Sequence, residues 1–133
     1  MKLKRKLATV ALAGGLALTG VAATAPSAAA NEGNCPSGRA CFHENIGYYD
    51  RDVETGTTKT CIDLRKYGET KFAVGIGSYV NYLPVKVDVY HRNGYYGALV
   101  YDGTIRPGGF SSNSSNGGWW GEYGTICTGG ATP

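Results

Sequence analysis

The chain repeats itself at an offset of 47 residues, and this repeat limits its fold more than any other feature of the sequence. Gly47–Tyr49 aligns with Gly94–Tyr96 in an ungapped frame, and Gly77-Ser78 aligns with Gly124-Thr125 in the same frame. One offset therefore relates an aromatic turn and a later hydroxyl-bearing strand in both halves. A unit of this size has too few strands to enclose a core alone, so we expect two copies packed face to face.

The apolar alternation around the repeat indicates strands. Ala40 and Phe42 fall on Val87 and Val89 at the same offset, so the buried sides of the two strands stay in phase. A one-residue shift would align the two histidines but would reverse this alternation. Helical periodicity with caps is missing, whereas turn residues recur at short intervals. The sequence predicts an all-β fold, a Greek-key β-sandwich of two repeats.

Four positions in the second copy indicate how such a unit closes on itself. Tyr90 and Tyr95 are spaced to place an aromatic ring over a hairpin that contains Gly97, where a side chain would block the turn. Thr125 supplies a hydroxyl that can hydrogen-bond to the backbone of the hairpin. These four residues are the predicted structural positions of the motif.

The first copy keeps two of these positions and changes the other two. Tyr48 and Ser78 preserve the pattern, while His43 replaces the first aromatic residue and Asp50 replaces the glycine. We therefore expect a less regular first hairpin, with His43 covering it as a tyrosine would.

The beginning of the chain has the pattern of an export signal. Met1–Ala30 opens with four cations, continues with an apolar core rich in Ala, Leu and Gly, and ends in small residues. This order predicts cleavage after Ala30, secretion, and no membrane attachment afterwards. Residues 31–133 then have the length of one small domain, with repeats at roughly 38–83 and 84–130.

The formal charge of +3 belongs to the signal rather than to the domain. Without the four cations of the signal, the chain keeps nine basic and ten acidic residues, a net charge near −1. This balance does not support a nucleic-acid-binding function.

Four cysteines follow the signal, an even number that indicates two disulfides in an exported protein. Three pairings of Cys35, Cys41, Cys61 and Cys127 are open in principle. The Pro-Ser-Gly turn between Cys35 and Cys41 favours a short local loop, which leaves Cys61 to close a long loop with Cys127. Zinc is not favoured, because the cysteines lack paired C-x₂₋₄-C spacing and only two histidines are present.

The motif residues resemble the βγ-crystallin Greek-key signature. Tyr90, Tyr95, Gly97 and Thr125 match its two aromatic positions, its glycine and its late hydroxyl residue. The opening "CPSGRACFHEN", with the later "CIDL", resembles one branch, the exported actinobacterial proteins of the Streptomyces metalloproteinase inhibitor type. The resemblance spans most of the chain after the signal, and it also supports the local disulfide.

This resemblance implies a secreted, disulfide-stapled peptidase inhibitor that acts by protein–protein contact and without catalysis. Its partner would be an extracellular protease, and the branch points to a metalloprotease. We expect a monomer that needs no cofactor. Two loops have the length and polarity that such a contact needs: Val53–Thr60, anchored by Cys61, and Thr104–Gly118.

Metal and catalytic chemistry find little support. Microbial proteins with this signature often bind calcium through side chains just before the late hydroxyl residue, but Val74–Gly77 supplies none and Gly121–Gly124 supplies only Glu122. We therefore expect no metal site. The sequence also lacks G-x-S-x-G and H-E-x-x-H motifs, and His91 has the setting of a solvated hairpin residue, so we expect no enzyme.

Two other functions stay open. Trp119 and Trp120 follow a polar loop and can contact a partner, either a protein or a sugar ring of an extracellular or cell-wall polysaccharide, although packing is the commoner role of such residues. The other function is a structural βγ-crystallin stabilised by calcium bound through ligands from the hairpin loops.

Overall fold

Strands dominate the fold. The computed structural model describes residues 32–114 and 120–133, so the predicted signal, Met1–Ala30, and Trp119 lie outside the described residues. The strands are β1 (Ala40–His43), β2 (Arg51–Thr55), β3 (Cys61–Asp63), β4 (Ser78–Asn81), β5 (Val87–Arg92), β6 (Leu99–Ile105), β7 (Phe110–Ser111) and β8 (Thr125–Thr128). Short 3₁₀ helices occupy Glu32–Asn34, Ile46–Tyr48 and Leu64–Tyr67. The all-β prediction is confirmed for the described residues, where no helix has the length and apolar character needed to cross a membrane.

The strands form two four-stranded antiparallel sheets, with the orders β2-β1-β4-β7 and β3-β8-β5-β6. The edge strands show an exchange between the halves of the chain. The third strand of the first half, β3, lies at the edge of the second sheet, and β7 lies at the edge of the first sheet. Each half is therefore completed by a strand of the other, so we expect neither half to fold alone.

Strand β7 corrects one expectation from the sequence. The sequence predicts a loop over Thr104–Gly118, yet Thr104 and Ile105 end β6, and Phe110 and Ser111 pair with Val80 and Tyr79 of β4. A two-residue strand carries no alternation pattern that a sequence can reveal. The free edge of β4 supplies the backbone partners that make the strand form.

The 47-residue offset is visible in the pairing register. Strand β1 pairs with β4 as β5 pairs with β8, so that Ala40–Asn81 corresponds to Val87–Thr128 and His43–Ser78 to Tyr90–Thr125. The hairpin partners also match, because β1 against β2 and β5 against β6 both shift register at a bulge after the second apolar residue. The apolar alternation therefore predicts the correct frame.

The main apolar core lies between the two sheets and receives side chains from both. Its buried members are Ala40, Phe42, Val53, Leu64, Phe72, Ile76, Leu83, Val87, Val89, Ile105 and Ile126. The predicted alternation of β5 holds for Val87 and Val89 but not for Asp88, which is also buried. Its carboxylate pairs with Lys86 at 2.8 Å and with the hydroxyl of Thr104, which compensates for the loss of water.

Both disulfides have the expected pairing. Cys35 bonds to Cys41 across a sequence separation of 6 residues, and Cys61 bonds to Cys127 across 66 residues. Cys61 and Cys127 lie opposite each other in β3 and β8, so the long disulfide fastens the exchanged strand to the second sheet.

Candidate functional site

Ser78 holds the hairpin motif of the first half in place through two hydrogen bonds. Ser78 is fully buried, its Oγ accepts a hydrogen bond from the backbone N–H of Tyr48 at 3.0 Å, and it donates to the carbonyl oxygen of Asn45 at 2.7 Å. The ring of His43 meets the ring of Tyr48 edge-on, with centroids 5.8 Å apart. These contacts give the three residues a structural role in holding the turn.

The second hairpin closes around its glycine. A Cβ at Gly97 would overlap the carbonyl oxygen of Asn93, so no other residue fits the turn. The turn is closed by a hydrogen bond from Gly97 N–H to the Gly94 carbonyl at 3.1 Å, and Arg92 donates to the Gly97 carbonyl at 3.0 Å. The sequence singles out this glycine but gives no sign of the arginine.

Tyr90 and Thr125 face each other across β5 and β8. The ring of Tyr90 packs edge-on against Tyr101 of the same hairpin, with centroids 5.6 Å apart. Thr125 is buried at 4% exposure. Both residues therefore belong to the framework of the second sheet.

The two Gly-Tyr-Tyr turns each present one tyrosine to solvent. Tyr49 is 72% exposed and Tyr96 is 91% exposed, while the tyrosine before each is half-buried. Tyr95 forms an aromatic cluster with Tyr96 at 5.0 Å and Tyr123 at 5.5 Å, and the guanidinium of Arg65 lies 5.4 Å from its ring centroid. In this Tyr95–Tyr96–Tyr123 cluster, Tyr96 is exposed and the other two rings are half-buried. The sequence indicated the cluster only through its paired tyrosines.

Trp120 is half-buried and packs against the main core. Its ring lies 5.3 Å from that of Tyr79, and its carbonyl accepts a hydrogen bond from Ile76 N–H at 2.8 Å. These contacts give Trp120 a packing role. A partner contact by Trp119 or Trp120 stays a prediction, and Trp119 lies outside the described residues.

His43 is a fully buried titratable group, and neither of its ring nitrogens has a hydrogen-bond partner among the described residues. Burial lowers the pKa of its imidazole, because the charged form loses its hydration; nearby backbone groups and Asp52 oppose this effect without cancelling it. The neutral ring is therefore the form that the fold accepts.

We expect the stability of the domain to fall as the pH falls from 7 to 5. The unfolded chain takes up a proton at His43 near a pKa of about 6.5, whereas the folded chain resists protonation, so acid favours unfolding by about 1–2 kcal/mol. The variant His43→Leu, of similar volume, should lose most of this pH dependence. Urea unfolding of both proteins at pH 7 and pH 5 measures it, and equal pH dependence in both would contradict the assignment.

The segment Gly56–Thr60, here named the braced loop, lies between β2 and β3 and combines exposure with fixed ends. Gly56 to Lys59 are exposed, while Thr55 before them is buried at 6% exposure. Cys61 follows directly and is tied to Cys127. The sequence predicts a contact loop over Val53–Thr60, but Val53 to Thr55 belong to β2, so the braced loop is the part of it that lies outside the strands.

Hydrogen bonds fix both ends of the braced loop. Thr57 N–H donates to Thr55 Oγ1 at 3.1 Å at its start. At its end, Thr60 N–H donates to Thr128 Oγ1 at 3.0 Å, and Thr128 N–H donates to the Thr60 carbonyl at 2.8 Å. Thr128 is fully buried and Thr60 half-buried, which limits the access of water to these bonds.

Two further residues support the braced loop from below. A Cβ at Gly129 would overlap the carbonyl oxygen of Thr58, so the loop rests directly on this glycine. The side chain of Arg39 lies against Gly56, where an added Cβ would come within 2.8 Å of its Nη1. Sequence reasoning missed Thr128 and Gly129 as supports. The register offered a signal, because a Cys61–Cys127 pair in antiparallel strands places Thr60 opposite Thr128.

The second predicted loop has a different character. Residues 115–118 lie outside the described residues, and the rest contains β7. A surface cavity of about 430 Å³ is lined by residues of this segment and by Tyr79. Phe110 at its rim is 55% exposed. The described part of the segment therefore presents the exposed ring of Phe110 on the edge strand β7.

The contact between Asp102 and His91 is the next feature with titratable side chains. Asp102 contacts His91 through one carboxylate oxygen and accepts a hydrogen bond from Gly121 N–H at 2.7 Å through the other. These contacts connect the β5–β6 hairpin to the segment before β8, so Asp102 has a structural role. Within residues 32–114 and 120–133, no group of three His, Cys, Asp or Glu side chains is placed to hold a metal ion.

Compared with models of known protein families, with curated proteins and with solved structures, the chain gives no significant match.

Proposed function

We propose that this protein is an exported, non-catalytic peptidase inhibitor that acts by protein–protein contact through the braced loop, Gly56–Thr60. The observation that carries the proposal is the combination of an exposed loop and two fixed ends. A segment already ordered in its bound shape loses little conformational entropy when it enters a protease cleft. Ordered inhibitor loops also change little on binding, so the geometry seen here is relevant to the complex.

The fold type is part of the same proposal. We take the two sheets as a βγ-crystallin-like Greek-key sandwich of two repeats, of the branch that the "CPSGRAC" opening resembles. Three observations support this assignment: the register common to both halves, the exchanged third strands and the hydroxyl lock at Ser78. Export is supported by two disulfides, which persist in oxidising compartments.

The direct test is inhibition of a protease panel by the mature protein, residues 31–133. The panel contains a thermolysin-like metalloprotease, a trypsin-like serine protease and a chymotrypsin-like serine protease, each titrated with up to a micromolar excess. We expect tight inhibition of at least one enzyme, with a Kd well below about 1 µM. The variant Gly129→Ala tests the role of the braced loop, because the added Cβ should displace the loop at Thr58 and weaken inhibition. A panel in which every enzyme stays fully active would refute the proposal.

The exposed ring of Tyr96 in the aromatic cluster favours a second function, binding of extracellular or cell-wall polysaccharide. Tyr96, at 91% exposure beside Tyr95, presents a ring on which a sugar can stack. Retention on chitin or peptidoglycan that is lost in Tyr96→Ala, together with an inactive protease assay, would favour this function over inhibition. If Tyr96→Ala is retained on chitin or peptidoglycan as well as the wild type is, the aromatic cluster is not the polysaccharide-binding site.

A further inference from the structure

We infer that the inhibited enzyme is a trypsin-like serine protease and that Lys59 is the side chain that enters its specificity pocket. This inference rests on the proposed function and adds the class of the partner. Lys59 is an exposed residue of the braced loop, and it forms no ion pair with any described residue. Its ammonium group is therefore free to leave water for an acidic pocket.

The composition of the braced loop argues against a metalloprotease. Its sequence, Gly-Thr-Thr-Lys-Thr, contains no carboxylate, imidazole or thiol that would bind a catalytic zinc ion. It does contain a lysine, and trypsin-like enzymes select lysine and arginine through an aspartate at the bottom of their pocket. The chemistry of the loop thus fits the serine class better than the class that the sequence resemblance implies.

Other basic residues are less suitable for the same pocket. Arg39 and Arg51 lie 3.7 Å and 3.2 Å from carboxylate oxygens of Glu54, so they are already engaged. Arg106 is exposed, but it precedes Pro107, whose ring nitrogen carries no N–H and whose ring crowds the bond to be attacked. Lys59 precedes Thr60, whose backbone nitrogen carries an N–H and no ring, so the Lys59–Thr60 bond lacks this obstacle.

The attack on this bond can be written step by step. The serine oxygen of the protease adds to the Lys59 carbonyl carbon, and its proton passes to the histidine of the protease. As the Lys59–Thr60 C–N bond breaks, the histidine gives that proton to the Thr60 nitrogen, and Lys59 is left as an ester of the serine. The reverse sequence rebuilds the peptide bond without any other reactant.

The fold favours resynthesis of the peptide bond, because the Thr60 nitrogen stays close to the ester after cleavage. Thr60 stays paired with Thr128 through the bonds at 3.0 and 2.8 Å, and its neighbour Cys61 stays tied to Cys127. A nucleophile held at the ester has a very high effective concentration and competes with water. The protease is then trapped in a cycle of cleavage and resynthesis, which is inhibition.

The test measures inhibition constants of the mature protein against trypsin and chymotrypsin. We expect tight inhibition of trypsin, a loss of about 100-fold or more for Lys59→Ala, and inhibition of chymotrypsin by Lys59→Phe. Lys66→Ala is the matched control, since Lys66 is also exposed but lies outside the loop, and this variant should inhibit trypsin as the wild type does. Far-ultraviolet circular dichroism and melting temperatures establish that the variants are folded.

A second variant tests the retention step separately. Thr128→Val keeps the shape of the side chain but removes the hydroxyl that binds Thr60. With trypsin we expect its Lys59–Thr60 bond to be hydrolysed at least about 10-fold faster than in the wild type, as followed by mass spectrometry. Equal cleavage rates in the two proteins would overturn the retention step.

The outcomes separate this inference from the function on which it rests. Inhibition of the thermolysin-like enzyme without inhibition of trypsin would overturn the role of Lys59 and leave the proposed function standing. Inhibition of trypsin that survives Lys59→Ala would do the same. If no protease is inhibited, both the function and the inference fail.

Discussion

Replacing both Cys61 and Cys127 with alanine will lower the free energy of unfolding by about 4 kcal/mol, because a loop of 66 residues loses its closure. This loss is a large part of the stability of a domain of this size. The same disulfide fastens the exchanged strand β3 to β8, so its removal frees an edge strand as well. Chemical denaturation of the mature protein, with and without the pair of substitutions, measures the difference.

The matched control is the double replacement of Cys35 and Cys41. Their loop of 6 residues gives a closure contribution of only about 2 kcal/mol. We therefore expect the long disulfide to contribute clearly more than the short one. The opposite ranking would show that the exchanged strand does not depend on this disulfide for its place in the sheet.

The effect on function should exceed the effect on stability. The braced loop ends at the residue before Cys61, and without the disulfide its end is held by non-covalent contacts, the pairing of Thr60 with Thr128 and of β3 with β8. We expect the Cys61/Cys127 variant to lose inhibition even at temperatures where it remains folded. The Cys35/Cys41 variant should still inhibit under the same conditions.

Gly124→Ala will destabilise the protein by about 3 kcal/mol or more, since an added Cβ would overlap the backbone carbonyl of Tyr90. Gly77→Ala should have a comparable effect, because its Cβ would overlap the carbonyl oxygen of Glu44 in the first hairpin. The two glycines are 47 residues apart and precede Ser78 and Thr125, so they represent one requirement of the repeated unit.

Gly94→Ala provides the comparison for this prediction. Gly94 has a φ of +77° but no atom within 4 Å of an added Cβ, so only backbone strain of about 1–2 kcal/mol opposes the change. In thermal unfolding, the melting temperature of Gly94→Ala should be well above those of Gly124→Ala and Gly77→Ala. Similar melting temperatures for all three would mean that the hairpins do not pack against the strands as described.

The sequence predicts the framework well because its signals are local or periodic. The alternation of Ala40 and Phe42 with Val87 and Val89 sets the register, since a shift of one residue would turn every apolar side chain outward. The turn between Cys35 and Cys41 indicates their pairing because the two lie close together in the chain. Gly97 is recognisable because the repeated tyrosines mark its turn.

The candidate site is less predictable because it depends on contacts between distant residues. Thr128 and Gly129 support the braced loop only after β3 has crossed to the second sheet, and no local pattern announces that crossing. Strand β7 is equally hidden, since Phe110 and Ser111 become a strand only beside the open edge of β4. Buried Asp88 departs from the alternation because Lys86 and Thr104 satisfy its charge in the folded state.

The most direct test of the account is amide hydrogen exchange of the mature protein, alone and in an equimolar mixture with each protease of the panel. Our account predicts that one mixture slows exchange at Thr57–Thr60 and leaves the amides of Tyr95, Tyr96 and Tyr123 unchanged. Slower exchange confined to the aromatic cluster, or no protection of Thr57–Thr60 in any mixture, would contradict it.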